Sequence, residues 1–208
     1  MNQKILLICG AFSPLVYIAM TVIGGEMRPD YSHTYHAVSE LLEAGAPNKL
    51  ILDTLLAMSN ILGILFGLGV FQLVLESHRK THTGVFGAAC LIVISILGLL
   101  TALFFPMDPR NVTLTFPGLM HLITVGVMSI LSITATFLLA SWLKKQTDYS
   151  KYGTYSYISA IIILLSGILA AVAAIKESPI MGLAERVTIG ASLQWTFFLA
   201  LKMYKTSK

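Results

Sequence analysis

Six apolar runs, each close to the length of a membrane-crossing helix, constrain this chain more than any motif in it. A bilayer's hydrocarbon core is about 30 Å thick, and a helix needs about 20 apolar residues to cross it. Runs of that length occupy approximately residues 4–25, 50–75, 84–105, 119–143, 154–175 and 187–204. The expected fold is all-α, a polytopic transmembrane helix bundle with six spans, forming one integral membrane domain over residues 1–208. The chain is 56% hydrophobic and 12% charged, about half the charged share of a soluble domain. The lipid bilayer is therefore the expected partner. A net charge of +4 does not point to nucleic acid, because the basic residues lie in short tails and loops rather than on one face. Cys9 and Cys90 both sit inside apolar runs and form no CxxC pair, so neither a disulfide framework nor a thiolate site is expected. The first run exceeds the roughly 7–15 residues of a signal-peptide core and ends in no A-x-A site. It reads as a retained helix, with Pro14 as a kink.

The distribution of basic residues orients the bundle. With the N-terminus inside, nine basic residues (Lys4, Arg79, Lys80, Lys144, Lys145, Lys151, Lys202, Lys205 and Lys208) fall on one side, and five (Arg28, Lys49, Arg110, Lys176 and Arg186) on the other. Both termini are expected in the cytoplasm, and the protein in the plasma membrane. Acidic residues show the reverse bias. Glu26, Asp30, Glu40, Glu43, Asp108, Glu177 and Glu185 lie outside, against Glu76 and Asp148 inside. Function is therefore sought on the outer side.

The longest outer connection, from Glu26 to Lys49, contains PDYSHTYHAVSELLEAGAPN. On a 3.6-residue period His33, His36, Glu40 and Glu43 share a stripe, while Tyr35, Val38, Leu41 and Leu42 fall mostly opposite. This predicts a short amphipathic helix on the outer face. The stripe is either its wet face or a ligand set, since imidazoles at i, i+3 and a carboxylate one turn on suit a divalent metal such as zinc. Asp108 in the rigid Phe105-Pro106-Met107-Asp108-Pro109 turn, His121 at the outer end of the fourth run, and Glu185-Arg186 before the sixth reach the same depth. Ionisable groups near spans usually face the bundle interior or a wet cavity. His78 and His82 lie beside Arg79 and Lys80 and read as part of an inner basic anchor. Asp53 lies near the outer cluster, and Asn60 and Gln194 are candidates for interhelical hydrogen bonds or a pathway lining. No nucleophile elbow, HExxH helix, P-loop or dinucleotide fingerprint occurs.

Ser39-Glu40-Leu41 with Gly45-Ala46-Pro47-Asn48, Phe105-Pro106-Met107-Asp108, His121, and Gly182-Leu183-Ala184-Glu185-Arg186 resemble the prokaryotic membrane family catalogued as domain of unknown function 998. The likeness runs nearly the length of the chain. Glu40 stands where members commonly carry Asp, and Leu42-Glu43-Ala44 lengthens the path to the glycine. His33 and His36 are not part of the resemblance. It implies a bacterial or archaeal membrane protein and brings no activity with it.

Three functions fit these residues. The first is an outer-leaflet hydrolase or transferase acting on lipid or envelope material. In it His33, His36, Asp108 and His121 would hold a metal, Glu40 or Glu185 would act as general base, Arg186 would hold a phosphate or carboxylate, and Ser39 would be a conceivable nucleophile. The second is a transporter or channel entered through an acidic outer vestibule. The third is a non-catalytic sensing or immunity-type membrane protein.

Overall fold

The computed structural model describes residues 2–207; Lys208, counted in the basic balance, lies outside the described residues. Six long helices account for most of the chain: α1 Gln3–Glu26, α2 Lys49–Glu76, α3 His82–Phe104, α4 Phe116–Lys145, α5 Ser150–Ile175 and α6 Met181–Thr206. Each apolar run coincides with one helix to within a few residues. Helices α1 to α5 are long and apolar enough to cross a membrane, whereas α6 is markedly less apolar. Side-chain caps start several of them, as Asn2 accepts from Lys4 N, Thr81 from Gly84 N and Thr115 from Gly118 N. Lys144 and Lys145 in the last turn of α4 complement its dipole.

Each helix packs on its neighbours in sequence, and α6 packs back on α1, so the six form a closed up-and-down ring. Both termini lie at one end, called here the terminal end. The long first connection covers the opposite, cap end. Close approach depends on small residues. A Cβ at Gly84 of α3 would stand 2.8 Å from the Trp142 ring of α4, and one at Gly69 of α2 would stand 2.8 Å from Leu6 of α1. Pro14, which lacks an N–H, sits inside α1. Beside it Ser59 of α2 donates to the Ser13 carbonyl at 3.0 Å, joining the two helices where the ladder is interrupted.

The amphipathic helix expected across the histidine and glutamate stripe is not formed. Residues 27–37 run through turns, and only Val38–Leu42 is helical, as one short 3-10 segment. The cause is competition for backbone groups. Arg186 of α6 donates to the carbonyls of His33 and His36, both at 2.8 Å, and Leu183 N donates to the Thr34 carbonyl at 2.9 Å. The Ala37 and Val38 amides are taken by the carboxylates of Glu40 and Glu185. The carbonyls and amides of a helical turn are thus committed elsewhere. Val38, Leu41 and Leu42 instead wedge against Met20 of α1 and Leu52 of α2.

Candidate functional site

The cap is held down by charged side chains that bond chiefly to one another and to the backbone. Glu40 is almost fully buried, and its Oε1 accepts from Ala37 N and from Arg110 Nη2, both at 2.8 Å, while Oε2 accepts from Arg110 Nε at 2.9 Å. That bidentate contact holds the Arg110 guanidinium above its usual pKa. Arg110 also lies 4.4 Å from the centroid of the Tyr35 ring. Arg28 pairs with Glu43 at 2.6 Å and donates to the Glu40 carbonyl. Arg186 donates from Nη1 to the carbonyls of His33, His36 and Gly182, and from Nη2 to the Tyr31 hydroxyl. Burial pushes the Tyr31 hydroxyl up to about 12 against the opposing pull of Arg186, so it stays neutral and donates to the Ala37 carbonyl at 2.7 Å. Gly182 permits the approach of α6 to the cap, since a Cβ there would stand 2.3 Å from the His36 carbonyl oxygen.

Beneath the cap, within the ring, is a cavity of about 300 Å³. Its polar lining includes Ser39 from the cap, Asn60 from α2, Thr101 from α3, His121 from α4, and Glu185 and Thr188 from α6. Glu185 spends Oε2 on Val38 N at 2.8 Å; among the described residues Oε1 takes no protein hydrogen bond. His121 Nδ1 lies 2.8 Å from the Phe105 carbonyl. A carbonyl only accepts, so Nδ1 carries the proton and Nε2 keeps a lone pair without a protein partner. Among the described residues the Ser39 hydroxyl hydrogen-bonds only the Met107 sulfur, at 3.0 Å, a weak acceptor and therefore a loose restraint.

Of the residues singled out in the sequence, Ser39, His121 and Glu185 thus line one cavity. His33, His36, Asp108 and His121 do not converge. His33 packs on Gly25 of α1. His36 stacks on Tyr31, and its Nδ1 accepts from Ser32 N at 2.9 Å. Asp108 accepts from the Thr115 amide at 2.7 Å and hydroxyl at 2.8 Å, at the start of α4. Among the described residues no three of His, Cys, Asp and Glu are grouped so as to hold a metal ion. The quartet therefore does not form the ligand set its spacing suggested, because each member is turned toward its own local partner. Glu40, considered as a base, has both oxygens engaged in the cap. Asp53 pairs with Lys49 on its own helix, at 2.7 Å. Gln194 bonds Tyr155 of α5 and Asn60 its own helix.

Arg28, Arg110 and Tyr31, the partners that hold the cap, were not singled out in the sequence. Their signal was present in the outer charge balance, since buried carboxylates require counter-charges.

Fold and lining together define a multi-pass helical membrane protein with a capped, partly polar cavity. The chain matches the model of the family described as protein of unknown function DUF998 over residues 11–202, and it belongs to that family. No curated protein and no solved structure matches it.

Proposed function

We propose that this is a six-span protein of a prokaryotic plasma membrane, with both termini cytoplasmic, that acts as a hydrolase or transferase on lipid or envelope material at the outer leaflet. The observation that carries this reading is the cavity under the cap, whose mostly apolar walls include Ser39, His121 and Glu185. The sixth span is supported by the position of α6, which closes the ring between α5 and α1. Its length is about 39 Å at 1.5 Å per residue, enough to cross. Its lower hydropathy comes from Glu185 and Arg186 at one end, Lys202 and Lys205 at the other, and Gln194 facing Tyr155 between them. The orientation rests on the basic bias.

Among the described residues Glu185 Oε1 and His121 Nε2 have no protein hydrogen-bond partner. In the proposed step Glu185 Oε1 takes the proton of a water held in the cavity as that water's oxygen attacks an ester or phosphoryl group, and the proton passes to the leaving oxygen as its bond breaks. No metal step enters, because the candidate donors stand apart. Transport is the weaker reading, since the terminal half of the ring is filled by Phe66, Trp142, Trp195 and Leu199, which leaves the cavity closed at that end.

The test is turnover by purified protein in vesicles, offered phospholipids and lipid-linked envelope precursors, with products read by mass spectrometry. Glu185→Gln keeps an oxygen for Val38 N but removes the base; it should lower turnover by about 100-fold or more, and metal chelation should leave turnover unchanged. Failure of every substrate class, or full activity in Glu185→Gln, sinks the proposal.

A further inference from the structure

A second concavity, of about 440 Å³, lies along the seam where α1 and α6 close the ring. Its walls are almost wholly apolar, with Leu15, Ile18 and Val22 from α1 and Ile189, Leu193 and Phe198 from α6. Leu15, Ile18, Val22 and Phe198 are each about half exposed, as expected of a surface that faces lipid tails. At its cap end the lining changes to Arg186 and His33.

Arg186 differs from Arg28, Lys49 and Arg110, and shares with Lys176 the lack of an ion pair among the described residues. Arg28, Lys49 and Arg110 each pair with a carboxylate, whereas among the described residues no carboxylate lies within ion-pair distance of Arg186. Its Nη groups donate to neutral oxygens, its Nε is buried without a partner, and the neighbouring Glu185 binds Val38 N. A guanidinium without a paired carboxylate at the head of an apolar groove attracts an anion.

We infer that this seam is a lateral entry site for one acyl chain of an anionic lipid of the outer leaflet, with its headgroup at Arg186 and His33. The inference rests on the proposed function and names the class of its substrate. Two further features support it. From Arg186 to Phe198 the groove runs about 18 Å along α6, close to one leaflet of the roughly 30 Å core. Tyr17, Val38, Ile189 and Leu193 line both this groove and the central cavity, so one layer of side chains separates a docked chain from Glu185.

Gly190 supplies the test. It lines the groove, and a Cβ built on it meets nothing within 4 Å, so Gly190→Phe adds a ring to the groove from a position with room for its first carbon. The experiment reconstitutes the full chain in neutral phosphatidylcholine vesicles containing a trace of phosphatidylglycerol that carries a photoactivatable diazirine on one acyl chain. Matched phosphatidylcholine bearing the same label is the control, and cross-linked peptides are mapped. The wild type should place the anionic probe on the 14–22 and 186–198 segments, at least several-fold over the neutral one. Arg186→Gln should erase that preference, Gly190→Phe should abolish labelling of both segments, and Glu185→Gln should label like the wild type. Equal labelling by the two probes, or labelling that survives Gly190→Phe, overturns the inference. Labelling needs no chemistry, so a fully labelled protein without turnover sinks the proposed function and leaves this inference standing. Turnover untouched by Gly190→Phe does the reverse.

Discussion

The terminal and cap halves of the ring are built from the same six helices but packed by different rules. At the terminal end Phe66, Val70, Leu139, Trp142, Leu199 and Met203 are buried almost completely in one cluster. Within it Trp195 donates to Ser156 at 2.8 Å, whereas Trp142 Nε1 is buried without a partner. At the cap end the ring is hollow, and what closes it is a loop bound by guanidinium groups. One half holds the helices together; the other is a lid over space. Dispersion and shape maintain the first, and the second depends on satisfied charge. Mutations should therefore fail differently in the two halves.

The largest effect is expected from Trp142→Ala, which empties the most voluminous fully buried side chain of the terminal cluster. It should cost about 3–5 kcal/mol, read as a shifted midpoint in detergent unfolding followed by circular dichroism. A midpoint near wild type would show that the terminal half is not the structural anchor. Arg110→Ala comes next, at about 3 kcal/mol, because it leaves the buried Glu40 carboxylate uncompensated. Combining it with Glu40→Ala should cost about 1–2 kcal/mol less than the sum of the single changes. Additive losses would mean the two residues do not act as one latch. The smallest effect contrasts two glycines. Gly84→Ala drives a methyl into Trp142 and should cost about 1–3 kcal/mol. Gly190→Ala meets open space and should gain up to about 1 kcal/mol from helix propensity. Equal melting temperatures for the two would erase the distinction between filled and open halves.

The helices were legible because a span announces itself locally, through about 20 apolar residues in succession. The approximate limits of α1 to α5, the five helices apolar enough to cross, needed no long-range information. The cap did not announce itself. The periodicity of His33, His36, Glu40 and Glu43 resembles a helix face, yet the backbone there answers to Leu183, Glu185 and Arg186, some 150 positions away. Likewise Glu40 and Arg110 are separated by 70 positions, so nothing in the local pattern of Ser39-Glu40-Leu41 revealed that Glu40 is a strut. His121 and Glu185 were identifiable as ionisable groups at membrane depth. Their shared cavity with Ser39 became visible only when the ring closed.

The bonds between the cap and α6 also set an order of events in the making of the protein. The cap is translated early, but Arg186 and Glu185, which receive its carbonyls and amides, emerge last. Until α6 docks against α1, Val38 has no carboxylate to meet and His33 and His36 no guanidinium. A nascent chain stopped before Met181 would carry five apolar helices and a loop held by Arg28 and Arg110 but not yet by α6. The docking of α6 completes the clasp, because it supplies the last bonds of the lid and one wall of both the cavity and the side groove.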